Sequence, residues 1–244
     1  MAHGTPDWGI TAAKSTIYSL HDMGELAVRL GSPVSYDRRG DVIFLDGFDN
    51  GESKVAVEGS GAGNEIYPSC GDPVSAPMHL VFKTGPTADD LSGFHKTLYY
   101  PVAGGIGVEI AFLPVADLRR FRVYMQAFDG ALYHWFHCYY DHTDGKIYVL
   151  DHTLGWTPIG TPGIVRVGAA IYSYIKLVGD LSTDAYVRVI FNDHTYDASA
   201  YAASRLGDLT EKSMTVGAAA YTNVNAAILV PVDNLIVTQN EPVS

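Results

Sequence analysis

The amino-acid sequence predicts an all-β fold, an antiparallel two-sheet sandwich preceded by an N-terminal extended arm and one short helix. Three observations predict it. The 244 residues include 16 Tyr, 9 Phe and 25 Gly, a composition that favours strands and turns. From residue 41 onward, short apolar–polar runs alternate with turn residues at spacings of about 8–15 residues. No helical stretch separates these runs, which is typical of antiparallel sheets rather than of βαβ units.

Composition bounds the function as well as the fold. Hydrophobic residues make up 47% of the chain and charged residues 18%, which excludes an intrinsically disordered protein. The net charge of −11 argues against a nucleic-acid partner. Because no stretch approaches about 18 consecutive apolar residues, we expect no membrane partner. We expect Cys70 and Cys138 to be free thiols rather than a disulfide.

The first 40 residues lack the alternating pattern of the rest of the chain. We predict two units, an arm with a short helix over residues 1–40 and the sandwich over residues 41–244. Residues 1–20 contain Gly and Pro without a strong period, which indicates an extended arm. Asp22 and Glu25 fit a capping box at the start of a helix that ends at Gly31. This helix carries a single apolar stripe made of Met23, Leu26, Ala27 and Leu30. A helix this short needs a surface on which to dock.

The predicted strands follow in order along the chain. They cover residues 41–46, 80–82, 107–112, 120–128, 131–140, 146–151, 171–178, 185–192, 213–220 and 232–238. The run 120–128 alternates cleanly, with Phe121, Val123, Met125 and Ala127 on one face. The dipeptides at 129–130 and 144–145 are both Asp-Gly, which predicts tight hairpins between the flanking strands.

Three segments carry a resemblance to known domains. They are FLDGFD at 44–49, YIKLVGD at 174–180 continued by YVRV at 186–189 and ND at 192–193, and VDNLIVT at 232–238. The first resembles the opening strand, the second the central hairpin and the third the closing strand of laminin-G-like or concanavalin A-like jelly-roll domains. The resemblance covers about residues 41–240 and implies that the first and last strands are neighbours. It implies little about activity, because the fold hosts lectins, hydrolases, lyases and structural modules.

With its Asp-Trp-Gly arm at 7–9 and a short helix before the sandwich, the whole chain also resembles uncharacterised structural proteins of bacteriophages. That resemblance implies a non-enzymatic virion protein without a cofactor, assembled in the host cytoplasm as a homo-oligomer or with other particle proteins. We expect no secretory signal peptide, because the N-terminal residues contain neither a basic region nor an apolar run, and this agrees with assembly inside the cell. We expect the arm and helix to mediate assembly, because apolar side chains on a free tail would be exposed to water. The alternative is that the arm covers an edge strand of its own sandwich. The residues concerned are Trp8, Ile10, Ile17, Tyr18, Met23, Leu26 and Leu30.

Catalytic residues are not evident. Retaining glycosidases need two carboxylates about 5 Å apart, and none of the seven Glu has an acidic residue at a suitable spacing along a clear strand. Glu109, for example, lies between Val108 and Ile110. Lyases of similar fold use Arg, Gln, His and Tyr side chains. The matching residue types are present without the lyase motif, at Arg120, Arg122, His137 and Tyr186. We therefore predict no enzymatic activity.

The segment 134–142 is rich in His and aromatic residues. His134, Cys138 and His142 share one strand face but are spaced four residues apart, about 13 Å, so we predict no metal site. Aromatic residues dominate the other face. They are Tyr133, Trp135, His137 and Tyr139, with Tyr124 beside them on the neighbouring strand. Such a row fits the core, a protein interface or a platform for a glycan. The last would make the protein a carbohydrate-binding or receptor-binding lectin-like module.

Overall fold

The computed structural model describes residues 40–49, 51, 54–71, 74, 78–168, 171–207 and 211–243. The predicted arm, its helix and their apolar residues lie outside these ranges. Within them, sixteen strands account for the regular structure, and no helix is long and apolar enough to cross a membrane. The strands are β1 Asp41–Asp46, β2 Ala56–Gly59, β3 Glu65–Ser69, β4 His79–Lys83, β5 Leu91–Tyr99, β6 Gly105–Phe112, β7 Leu118–Phe128, β8 Leu132–Asp141, β9 Lys146–Leu150, β10 Trp156–Gly160, β11 Ser173–Asp180, β12 Ala185–Phe191, β13 His194–Asp197, β14 Ser204–Gly207, β15 Ser213–Thr222 and β16 Leu229–Gln239.

The strands form two sheets of eight strands each, and every pair of neighbouring strands within a sheet is antiparallel. Sheet I has the order β13-β12-β11-β6-β16-β4-β3, with β1 also paired to β16. Sheet II has the order β10-β9-β8-β7-β15-β5-β2, with β14 also paired to β8. The predicted antiparallel two-sheet sandwich of the jelly-roll type is therefore confirmed.

The predicted neighbourhood of the first and last strands is also confirmed. β1 pairs with β16 so that Val42 lies opposite Thr238 and Leu45 lies opposite Ile236. Both predicted hairpins are present, β7 to β8 through Gly130 and β8 to β9 through Gly145. Each of these glycines has a positive φ, which a residue with a side chain rarely adopts.

The core lies between the sheets and is built from alternate residues of each strand. In β7 the predicted face of Phe121, Val123, Met125 and Ala127 is fully buried in it. Phe121 of sheet II stacks on Phe112 of sheet I, with ring centroids 4.0 Å apart and planes 5° apart. Cys138 is buried in this core and Cys70 is exposed, and neither forms a disulfide.

Six strands had no counterpart in the prediction, and their sequences show why. β2, β13 and β14 are only four residues long, too short for alternation to be recognised. β3 and β10 contain Pro68 and Pro158, residues that normally argue against a strand. Both are edge strands, where a missing N–H is tolerated. In β5, the glycine at position 93 and the charged residue at 96 break the pattern.

Candidate functional site

The aromatic row of β8 lies on the outer face of sheet II, away from the core. Alternate β8 residues, among them Phe136 and Cys138, point into the core, so the residues between them point outward. The predicted row is Tyr133, Trp135, His137 and Tyr139. Tyr124 of β7 lies opposite His137, so the structure brings all five predicted residues together on one surface.

The aromatic surface is larger than the sequence indicated, and it divides into two clusters. The Trp135 cluster contains Phe128, Tyr133 and Trp135. Phe128 and Tyr133 stack with centroids 3.9 Å apart, and Trp135 meets the ring of Tyr133 edge-on at 5.1 Å. All three side chains are half-buried, so part of each ring reaches solvent.

The Trp156 cluster lies at the opposite end of the row and contains Tyr139, Tyr148 and Trp156. The ring of Tyr139 stacks on Tyr148 at 4.9 Å and meets Trp156 edge-on at 4.4 Å. Trp156, from the edge strand β10, is 37% exposed and Tyr148 is half-buried, whereas Tyr139 is buried beneath them. Sequence reasoning missed both Tyr148 and Trp156. Tyr148 could have been found from the hairpin register, which pairs it directly with Tyr139.

The centre of the row is recessed between the two clusters. Tyr124 and His137 are only 4% and 6% exposed. The Tyr124 hydroxyl donates to Glu58 Oε2 at 2.5 Å, and Arg122 Nη2 donates to Glu58 Oε1 at 2.6 Å. These hydrogen bonds cross the sheet from β7 to β2. The Tyr124 ring packs directly on Gly217, where a Cβ would lie 2.5 Å from Tyr124 Cζ. The centre of the row is therefore a recessed polar surface whose side chains are held in place by hydrogen bonds.

Two side chains at this centre, His137 and Tyr124, are held in their neutral forms. Burial, with a smaller contribution from the Arg122 charge, lowers the pKa of His137 to about 3. Burial and the Glu58 carboxylate raise the pKa of Tyr124 well above its usual value. A neutral His137 ring can accept a hydrogen bond at Nε2, where the Gln126 amide nitrogen lies 3.0 Å away.

Of the four residues of the lyase comparison, Arg120, Arg122 and His137 lie on the outer face of sheet II and Tyr186 does not. Arg120 lies on the outer face of sheet II, where it contacts Asp141 at 3.2 Å and stacks over the Tyr139 ring. Tyr186 is instead in the core, where its hydroxyl lies 2.7 Å from the Leu150 carbonyl oxygen. Glu109, which was considered as a glycosidase carboxylate, belongs to β6 in the other sheet. The Tyr186 hydroxyl therefore contacts the backbone of His137 from the core side and does not reach the aromatic face.

The three residues considered as metal ligands, His134, Cys138 and His142, also have separate surroundings. Cys138 is in the core, and His142 Nδ1 lies 3.2 Å from the Tyr140 hydroxyl. His134 lies between two carboxylates, with Nδ1 2.5 Å from Asp184 and Nε2 3.3 Å from Asp129. In the part of the chain that the structure describes, no group of three His, Cys, Asp or Glu is arranged to hold a metal ion.

The predicted assembly residues, from Trp8 to Leu30, lie outside the described residues. Their role in assembly stays a prediction.

Comparisons with known proteins give a fold and no family. The sequence matches no protein-family model and no curated protein. A Bacillus subtilis protein of unknown function with a galectin-like fold is similar in structure, with a TM-score of 0.55 and 13% identity over 83% of this chain and 97% of that chain. At this identity, the similarity shows that the two chains share the lectin-like sandwich fold.

Two further solved structures have lower similarity. One is described as a carbohydrate-binding module of the β-sandwich superfamily, with a TM-score of 0.49 and 10% identity over 83% of this chain. This protein spans 64% of that chain's length. The other is domain 4 of AbnA, an extracellular arabinanase from Geobacillus stearothermophilus, in complex with arabinotriose. Its TM-score is 0.49, with 14% identity over 82% of this chain and 93% of that chain.

Proposed function

We propose that this protein is a non-enzymatic carbohydrate-binding protein that holds a glycan across the outer face of sheet II. The observation that carries the proposal is the pair of partly exposed aromatic clusters on that face, outside the core. Sugar rings have apolar faces that pack on aromatic side chains, and their hydroxyl groups pair with polar side chains at the same surface. The Trp135 and Trp156 clusters supply the aromatic component at two places.

The polar residues between the clusters suit hydrogen bonding to an uncharged sugar. Arg122 is neutralised by Glu58, and Arg120 is neutralised by Asp141. The surface therefore presents donors and acceptors without a strong local charge. A protein with a net charge of −11 also repels anionic ligands at long range.

The geometry supports binding better than catalysis. A general base must reach the substrate proton, whereas the His137 side chain is 94% buried and its Nε2 already contacts Gln126. The Tyr124 hydroxyl is held by Glu58, and its raised pKa keeps it protonated. Glu58 is held by two donors on this face, so it is not positioned as a free nucleophile beside a second acid.

A glycan array followed by calorimetry on the best oligosaccharide tests the proposal. We expect Trp156→Ala and Trp135→Ala each to weaken binding at least tenfold, which corresponds to about 1.4 kcal/mol. Tyr67→Ala is the matched control, because Tyr67 is a half-buried aromatic residue on β3 of sheet I. Absence of binding to every glycan, or loss of binding equal in the control, would contradict the proposal.

Self-assembly into a viral particle is a separate hypothesis. It rests on the arm and helix, which lie outside the described residues, so the sandwich supplies no support for it. Light scattering on the full chain and on a variant without residues 1–20 tests it. A smaller oligomer after the deletion would favour assembly through the arm. If the full chain and the deletion variant are both monomeric, the result would argue against assembly.

A further inference from the structure

A polar cleft of about 310 Å³ opens on the flank of the sandwich, beside the strand β14 that pairs with the Trp135 end of β8. Three connecting segments form it: the turn after β9, the turn between β11 and β12, and the residues that lead into β14. Its lining residues are His152, Thr183, Asp184, Ala202, Ala203 and Arg205. The volume is at the lower end of the range of small-molecule sites, which suits a ligand of one ring.

Asp184 is fixed at the wall of this cleft. Its Oδ2 accepts a hydrogen bond from Arg205 Nη1 at 3.0 Å, and its Oδ1 lies 2.5 Å from His134 Nδ1. Its backbone has a φ of 57°, a conformation that Asp adopts more readily than most residues. The backbone carbonyl of Asp184 accepts from the amide of Ala203 at 2.7 Å, which joins two of the cleft walls. The acidic group is therefore rigidly positioned before any ligand arrives.

Donor groups remain available beside this carboxylate. The Arg205 side chain is 56% exposed, and its contact with Asp184 occupies one of the five N–H groups of a guanidinium. His152 is exposed at the rim of the cleft. The cleft thus combines a half-buried acceptor with at least two exposed groups that can donate.

The charges of the cleft select against ionic ligands. Arg205 compensates Asp184, so an anion approaching Arg205 also meets the Asp184 carboxylate, and a cation approaching Asp184 also meets the guanidinium. A hydroxyl group both donates and accepts, so two adjacent hydroxyls can pair with Asp184 and Arg205 together. We propose that this cleft binds one uncharged sugar residue through two adjacent hydroxyl groups, as a second site separate from the aromatic face.

The inference extends the proposed function, on which it depends only for the choice of sugars as the ligand class. It is tested with monosaccharides, which the two distant aromatic clusters cannot both contact. The probes are the methyl glycosides of glucose, galactose, mannose and xylose, with glucuronate and glucosamine as charged comparisons. Amide chemical shifts of the labelled full chain report where each probe binds.

With at least one neutral glycoside, we expect saturable shifts at residues 152, 183–184 and 202–205. Arg205→Gln should weaken this binding at least fivefold, and Asp184→Asn, which keeps the size and tolerates the backbone conformation, should do the same. Lys83→Gln is the matched control, because Lys83 forms a similar exposed pair with Glu65 on the far edge of sheet I. It should leave the binding unchanged.

Trp135→Ala distinguishes this inference from the proposed function, because Ser204 of the cleft strand lies opposite Trp135. Cleft shifts that survive in Trp135→Ala, whether or not oligosaccharides bind the aromatic face, support a separate site. No saturable shift at the cleft with any neutral glycoside, shifts confined to the aromatic clusters, or tighter binding of glucuronate or glucosamine would overturn it. An Arg205→Gln protein that binds as well as the parent would overturn it too.

Discussion

Glu241 Oε1 lies 2.7 Å from Lys176 Nζ, and both side chains are buried on the outer face of sheet I. Arg188 Nη2 contacts the second oxygen of the same carboxylate at 2.6 Å, and the Thr238 hydroxyl donates to the first at 2.6 Å. The Glu241 amide also donates to the Gly105 carbonyl at 3.0 Å. One glutamate near the C-terminus therefore joins β6, β11, β12 and β16.

The first prediction follows from the burial of this ion group. Glu241→Ala removes the carboxylate that faces two buried cations, and breaking a buried pair in this way costs about 3–5 kcal/mol. We expect a loss of that size in the free energy of unfolding measured by urea denaturation. Glu65→Ala, which removes an exposed partner of Lys83, should cost about 0–1 kcal/mol. Equal losses in the two variants would show that burial of Glu241 does not matter.

The second prediction compares two buried tyrosines. The Tyr186 hydroxyl contacts the backbone of His137 and the Leu150 carbonyl, whereas the buried Tyr196 hydroxyl has no hydrogen-bond partner in the part of the chain that the structure describes. Tyr186→Phe should therefore cost about 1–3 kcal/mol, because it leaves buried backbone groups unpaired.

Tyr196→Phe is the control for that measurement and should be neutral or stabilising, since it removes an unpaired buried hydroxyl. Chemical denaturation of the two variants gives the comparison directly. A Tyr196→Phe protein that loses as much stability as Tyr186→Phe would contradict the assignment of these hydrogen bonds.

The sequence predicted the parts of the fold that depend on local pattern. The alternation around Val123 and the Asp-Gly turns located β7, β8 and β9, because strand faces and tight hairpins are set by adjacent residues. The aromatic row was predicted for the same reason. Trp156 was missed because β10 contains proline, so no alternating pattern identified its strand.

Contacts between distant segments could not be predicted in this way. Glu58 reaches Arg122 across 64 positions, and Asp184 reaches Arg205 across 21, with no spacing that marks either pair. The first contact depends on the order of strands in sheet II, and the second depends on how the turn after β11 of sheet I packs against β14 of sheet II. The cleft on the flank depends on three connecting turns and has no local signature at all.

The third prediction concerns pH and His137. Burial lowers its pKa from 6.5 to about 3, so the unfolded chain binds a proton that the folded protein does not bind between these values. The contribution of the neutral ring to stability is thus present above about pH 6.5 and is lost as the pH falls toward 3. Lowering the pH from 7 to 5 should therefore reduce the free energy of unfolding by about 2 kcal/mol through this one residue.

His137→Gln keeps a hydrogen-bonding side chain that does not titrate, so stability of this variant should fall less between pH 7 and pH 5. Unfolding curves at both pH values measure the difference. His142→Gln is the control, since His142 is only half-buried. If His137→Gln shows the same loss on acidification as the parent protein, the histidine is protonated in the folded state.

The fourth prediction is that the segment 134–142 binds no zinc. Burial raises the pKa of the Cys138 thiol and so opposes the thiolate that zinc requires. His134 already faces Asp129 and Asp184. Elemental analysis of protein purified without chelator should find no stoichiometric zinc. Zinc at one equivalent that disappears in His134→Ala would contradict this prediction.

The last prediction concerns the length of the bound glycan. Trp135 and Tyr139 are four residues apart on β8, so the two aromatic clusters are separated by about 13 Å. A mono- or disaccharide is shorter than this separation and contacts one cluster at a time. A longer oligosaccharide can contact both, and its second contact forms within an existing complex, which raises affinity strongly.

We expect affinity to rise at least tenfold between the disaccharide and the hexasaccharide of the preferred glycan, as measured by calorimetry. Trp156→Ala should remove this gain while leaving disaccharide binding at the Trp135 cluster within about twofold. Val57→Ala, at an exposed apolar residue on β2, should keep it. A gain that persists in Trp156→Ala would place the extended glycan elsewhere on the protein.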